Sequence, residues 1–154
     1  MIWRSDLEDP DLLPTVSRAQ HAAVGSLSAR CSALFDPDGR RLATYPAPAT
    51  FAEYEADRGW IALERDALAR LTSTGEVQWR HPLGTGGNLR WGCYQPIVDV
   101  DGTIYVATDD GIADFDGAGA RRGALVLGDR PMPLLPVRAG LMAAVVGDTL
   151  LLIE

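Results

Sequence analysis

A chain of 154 residues with 47% apolar side chains is long enough to fill the core of one domain. Its net charge of −7 argues against nucleic acid as the main partner, because phosphate binding needs a basic face. No apolar run approaches the roughly 18 residues of a membrane span, and the absence of lysine excludes Schiff-base and phosphate-loop lysine chemistry. The opening Met-Ile-Trp-Arg-Ser-Asp-Leu-Glu-Asp-Pro lacks the basic start and apolar core of a signal peptide, which sets the expectation of a chain without a leader, cytoplasmic by default. Cys31 and Cys93 stand far apart; one disulfide is open, but two thiols on strands are the expected state.

In chain order the punctuation is that of short strands. Ile2 to Leu7 reads as one strand, and Pro14-Thr15-Val16 as the start of another. Ala23 to Gly39 ends on Asp36-Pro37-Asp38-Gly39 and is followed by Arg40 to Tyr45. The stretch Ala47 to Asp57 fits least well and is expected to hold either a strand or a helical turn. Gly59 to Gly75 is followed by a strand bearing Trp79, then by the glycine-rich Gly84 to Asn88. Pro96 to Val100, Thr103 to Thr108 and Ile112 to Phe115 are three strands separated by Asp101-Gly102 and Asp109-Asp110-Gly111. Asp116 to Gly119, a weaker strand at Ala124 to Leu127, another opening at Pro136-Val137, and Leu141 to Glu154 complete the chain.

These segments repeat. With Gly39, Gly75 and Gly119 aligned, Ala23 to Gly39, Gly59 to Gly75, Thr103 to Gly119 and Leu141 to Glu154 stack without a gap. Phe35, Leu71, Phe115 and Ile153 then share one position, each before a polar residue. The spacing of about 36 to 44 residues is that of propeller blades. Units of about 8–46, 47–83, 84–128 and 129–154 follow, with 1–7 as the last strand of a blade, since Trp3-Arg4 and Leu7 match Trp79-Arg80 and Leu83.

Val100 to Gly111, the turn at Gly75 and the following Trp79 resemble the repeat of PQQ-like (quinoprotein-like) β-propellers. The resemblance covers nearly the whole chain and is best from Trp60 to Phe115. It implies an all-β fold of four-stranded antiparallel meanders, about four blades or half of a larger propeller. It also implies that Trp79 and Trp3 are wedges between blades, with Phe35, Leu71 and Phe115 in the blade packing. Members range from dehydrogenases that bind pyrroloquinoline quinone to non-catalytic propellers that hold other proteins. Two arrangements of the ends compete. Ile2 to Leu7 could pair with the last blade and close a ring of four, or the chain could be half of a ring completed by an identical chain or by further sequence. The second is the expectation.

No motif for catalysis stands out. The quinone enzymes use adjacent cysteines, which Cys31 and Cys93 are not, and Trp60 or Trp91 reads as blade packing rather than as a stacking platform. The loops at Asp36, Asp99, Asp109 and Asp114 resemble parts of a calcium loop but lack its closing glutamate, and aspartate before glycine is good turn chemistry. His21 and His81 have no partner at ligand spacing. The expected cofactor set is therefore empty, PQQ and calcium included, and no catalytic or metal-binding residue is assigned. The expected function is a non-catalytic scaffold for a protein partner or small ligand, possible homodimerisation included, with Arg90, Trp91 and Tyr94 as the partner-binding candidates. A fragment of a quinone-dependent dehydrogenase or another propeller enzyme is the alternative.

Overall fold

The computed structural model describes residues 13–17, 20–25, 32–83, 95–109, 111–129, 131 and 133–154. Four antiparallel sheets follow one another along the chain, each a meander in which sequence neighbours pair. The first holds β1 (Leu13–Val16), β2 (Ala22–Gly25), β3 (Ser32–Phe35) and β4 (Arg41–Tyr45). The second holds β5 (Ala49–Tyr54), β6 (Gly59–Glu64), β7 (Ala67–Leu71) and β8 (Val77–Pro82). The third holds β9 (Ile97–Val98), β10 (Ile104–Ala107), β11 (Gly111–Phe115) and β12 (Arg121–Val126). The fourth holds β13 (Leu134–Arg138), β14 (Leu141–Val146) and β15 (Thr149–Ile153). The fold is an all-β propeller arrangement of blades, and no described residue lies in a helix, so none forms a helix able to cross a membrane.

One turn recurs and fixes the outer half of the first three sheets. In Asp36–Arg40, Thr72–Glu76 and Asp116–Ala120 the first residue's N–H donates to the carbonyl of the fifth, and the fourth residue's N–H donates back to the first. A side-chain oxygen of that first residue accepts the fifth residue's N–H at 2.8 Å (Asp36), 3.0 Å (Thr72) and 2.9 Å (Asp116). The fourth position must adopt positive φ, and it is Gly39 (87°), Gly75 (91°) and Gly119 (81°). The extra residue shifts the register between Leu34 and Phe35, Arg70 and Leu71, and Asp114 and Phe115, as a bulge after such a turn requires.

These turns also dock neighbouring sheets. A Cβ at Gly75 would lie 2.6 Å from Cβ of Ala43 on the first sheet, and one at Gly119 would lie 2.8 Å from the Trp79 ring on the second. Trp79 Nε1 donates to the Gly117 carbonyl at 3.2 Å, and Arg70 donates to the same carbonyl at 2.8 Å. Arg70 also lies 3.8 Å from the centroid of the Tyr54 ring and 2.7 Å from Asp57. The bare backbone of the third sheet's turn is thus clasped by an indole and a guanidinium.

Two cores lie between sheets. Leu34, Tyr45, Phe51, Trp60 and Leu71 join the first sheet to the second, with Phe51 set edge-on to both Tyr45 and Trp60. Tyr54, Ile61, Leu63, Leu68, Ile104 and Phe115 join the second to the third. The second sheet is covered on both faces, so all six residues of β6 are buried, whereas β14 alternates because only one of its faces is covered. Ala47 to Asp57 holds no helical turn. Ala49 to Tyr54 pairs residue for residue with Glu64 to Gly59, which puts Phe51 into the core; Glu55 to Arg58 form the turn. Ile2 to Leu7, and with it pairing to the last blade, lies outside the described residues.

The two roles of the turn glycines can be separated. Gly128 has φ of 79° but nothing within 4 Å of an added Cβ. Gly128→Ala should therefore cost only backbone strain, about 1 kcal/mol, whereas Gly119→Ala should cost about 2–4 kcal/mol because His81 and Trp79 must also move. Equal urea midpoints for the two variants would show that the turn does not dock against His81 and Trp79.

Candidate functional site

The first strand of each sheet borders a groove of about 630 Å³. β1 contributes Thr15 and Val16, β5 contributes Phe51 to Glu53, β9 with its approach contributes Gln95 to Val98, and β13 with its approach contributes Pro133 to Pro136. Proline recurs at Pro96, Pro133 and Pro136 because an innermost strand has no ladder partner on its axial side, so a missing N–H there costs no hydrogen bond.

Most of the groove is apolar, and its polar groups converge. Gln95 Nε2 donates to Thr15 Oγ1 at 2.8 Å, and that hydroxyl donates to the Phe51 carbonyl at 3.0 Å. Thr15 is thereby fixed between two sheets with its direction set. Glu53, two residues on from Phe51, is the one ionisable side chain among the described lining residues. A mainly apolar concavity with a few oriented polar groups is the usual form of a small-molecule site.

A second polar cluster is committed to structure. Glu64 is buried at the end of β6, where Tyr45 donates its hydroxyl to Oε1. Arg80 donates to both carboxylate oxygens, at 3.0 Å and 3.2 Å through Nε and at 2.7 Å through its terminal nitrogen. Burial pushes the Glu64 carboxyl up, but the hydrogen bonds from Arg80 and Tyr45 outweigh it and hold the group below the usual carboxylate range. Burial, then the adjacent carboxylate, pushes the Tyr45 phenol up. With both oxygens taken, Glu64 ties β4, β6 and β8 together and has little capacity left for a substrate.

The acidic turns use their carboxylates on their own backbones. Asp101 accepts the Thr103 N–H at 2.8 Å, which holds its carboxyl below the usual range. Asp99 accepts the Gly140 N–H at 2.9 Å and so ties the third sheet to the fourth. Among the described residues no three His, Cys, Asp or Glu side chains meet in a metal-binding arrangement. His81 lies on β8, stacked at 5.1 Å on Trp79 and 3.2 Å from the Ala118 carbonyl; His21 lies just before β2.

The partner-binding candidates Arg90, Trp91 and Tyr94 lie outside the described residues, as do Trp3, Cys31, Cys93 and Gly84 to Asn88. Trp60 is buried between the first two sheets, away from the groove. Leu71 belongs to that same core, Phe115 to the next, and Phe35 is half-buried on β3. Thr15, Glu53 and Gln95 carry no local motif. Only the recovery of the innermost strands at Thr15 and Ile97 could have pointed to them.

No family model and no curated protein matches this chain. Solved structures do. A streptogramin B lyase superposes with a TM-score of 0.68 at 11% identity, over 96% of this chain and 56% of its own. A catalytically inactive virginiamycin B lyase from Staphylococcus aureus with Quinupristin gives 0.67 at 15% identity, over 96% and 57%. A gluconolactonase from Xanthomonas campestris gives 0.67 at 14% identity, over 92% and 55%. The chain is a β-propeller by fold, and it spans a little over half the length of these neighbours. They do not single out the PQQ-like kind.

The expectation of a protein that is not an enzyme is corrected by these neighbours, several of which are enzymes by name. The physical reason is that inner strands far apart in sequence each contribute one or two groups to an axial site. A search for contiguous motifs does not see such a site, and a propeller frame by itself says nothing against catalysis.

The pH dependence of the Glu64 tie has a definite sign. Its stabilisation is complete above the unfolded-state value near 4.3 and is lost as pH falls through the lower folded-state value. Urea midpoints between about pH 6 and pH 3 should fall more steeply for the parent protein than for Glu64→Gln. Parallel curves would remove Glu64 from the acid response.

Proposed function

We propose that this chain supplies part of the axial site of a propeller enzyme that acts on a small, largely apolar organic molecule bearing one or two hydrogen-bonding groups. The groove bordered by the first strands of all four sheets carries this reading. Ile97, Val98, Leu134 and Pro136 offer the apolar wall, Gln95 and Thr15 orient a polar group, and proton transfer falls to Glu53. The neighbours named as a lyase and a gluconolactonase support an enzyme of this fold, and one of them is described with Quinupristin. Kinship to PQQ-like repeats rests on the sequence pattern of Val100 to Gly111 and Trp79 and implies no quinone here.

The test is a ligand-observed NMR screen with neutral cyclic esters and amides, gluconolactone and quinupristin included, followed by turnover of any hit. Binding should disappear in Ile97→Trp, which fills the groove, and weaken about five- to tenfold in Thr15→Val, the worth of one hydrogen bond. Turnover should be lost in Glu53→Gln with binding retained. Hits that bind Ile97→Trp as well as the parent, a panel without hits, or unchanged turnover in Glu53→Gln would each overturn the reading.

A further inference from the structure

A short relay of hydrogen bonds joins β1, β5 and the approach to β9, and its direction is fixed by what each group can do. The Phe51 carbonyl on β5 can only accept, so the single hydroxyl proton of Thr15 is committed to it at 3.0 Å. Toward Gln95, 2.8 Å away, the same hydroxyl can then act only as an acceptor. Gln95 must therefore turn its amide nitrogen, and not its carbonyl, toward β1. The two ends of an amide have nearly the same shape, and here the committed proton of Thr15 tells them apart.

What remains of that amide is one N–H and the carbonyl Oε1. Among the described residues it makes no other hydrogen bond, and the Gln95 side chain is exposed on the wall of the groove. A planar group with one donor and one acceptor is met in full by a ligand group that carries both side by side. A cis secondary amide does so, because its N–H and C=O point the same way. An ester brings only acceptors and leaves Oε1 to water. In an open chain the cis amide is costly, whereas a small ring enforces it. The remaining lining suits the methylenes of such a ring, with Ile97 and Val98 on β9 and Leu134 and Pro136 on β13.

We infer that Gln95 is a specificity-determining residue of the groove and selects small cyclic amides over the corresponding esters. Thr15 is its positioning residue, since it holds the amide in one direction. This selection rests on the groove being a small-molecule site, and it narrows the ligand class. Gln95 meets water when the groove is empty, so the preference is that of a solvated hydrogen bond, about five- to tenfold. It is not the far larger one of a buried group left unpaired.

The probes are ε-caprolactam, N-methylcaprolactam and ε-caprolactone, which share one ring size, titrated by ligand-observed NMR. With the parent protein the lactam should bind about five- to tenfold more tightly than the other two. In Gln95→Leu the three affinities should converge. In Thr15→Val the advantage of the lactam should shrink, a ratio that a merely structural threonine would not move. Ile97→Trp should abolish binding of all three. Equal affinities in the parent, or an advantage that persists in Gln95→Leu, would overturn the selection while loss of binding in Ile97→Trp kept the groove as a site. An advantage undiminished in Thr15→Val would remove the positioning role. No binding by any probe, or binding that survives Ile97→Trp, would remove the groove as a site and the selection with it.

Discussion

Everything in this fold depends on the contact between one sheet's side chains and the next sheet's turn. Sheets set around an axis diverge outward because strands twist, so the inner strands touch while the outer strands leave a wedge. The chain fills that wedge with bare backbone on one side and a large flat group on the other. Gly117 and Gly119 bring bare backbone, with the Gly117 and Ala118 carbonyls as acceptors, and Trp79, Arg70 and His81 bring ring and guanidinium surface together with N–H donors. The contact satisfies polar groups that would otherwise be buried without partners, and it sets the angle between sheets. The second sheet takes this role on both flanks, through Gly75 toward the first sheet and Trp79 toward the third. That is why every residue of its β6 is buried.

Much of this frame was legible in the sequence because the turn leaves a mark that few other structures leave. A side-chain acceptor at the first position and a glycine at the fourth are both required, by the i to i+4 bond and by positive φ. Aligning Gly39, Gly75 and Gly119 therefore aligned the strands before them, down to the shared place of Leu71 and Phe115. Ala49 to Tyr54 was hard to read for an equally physical reason. It is the inner strand of the doubly covered sheet, so its Thr, Phe, Ala, Glu and Tyr show no clean alternation, and acidic residues crowd its end. The candidate site was illegible because its groups come singly from different inner strands. Nothing local distinguishes Thr15 or Gln95 from other polar residues until the sheets bring them within 2.8 Å.

Charge inside the frame follows the same economy. The one buried carboxylate of the second sheet, Glu64, is placed where a guanidinium and a phenol can both reach it, so desolvation is offset by directed donors rather than by bulk solvent. Arg70 is treated likewise by a carboxylate, a carbonyl and the Tyr54 ring. Both clusters join strands that differ widely in sequence position, and both stand outside the groove. Glu53 lies elsewhere, on the inner strand β5, where it lines the groove.

The distribution of side-chain size along equivalent positions connects the frame to the open flank. Facing Leu63 and Leu68 of the second sheet are Val106 and Ala113 of the third, so two large residues meet two smaller ones. In the third sheet Ala107 pairs with Ile112, and in the fourth Met142 and Ala144 are the buried residues of β14. Close packing of this kind requires that each face be matched to a definite neighbour, because a change of one methylene is felt. At the equivalent places the fourth sheet has Val145 and Leu150. A strand whose outward face had only to be solvated would carry polar residues at alternate positions, as antiparallel sheets with one wet face do. β15 carries Leu150 and Leu152 at those positions instead, each 66% exposed.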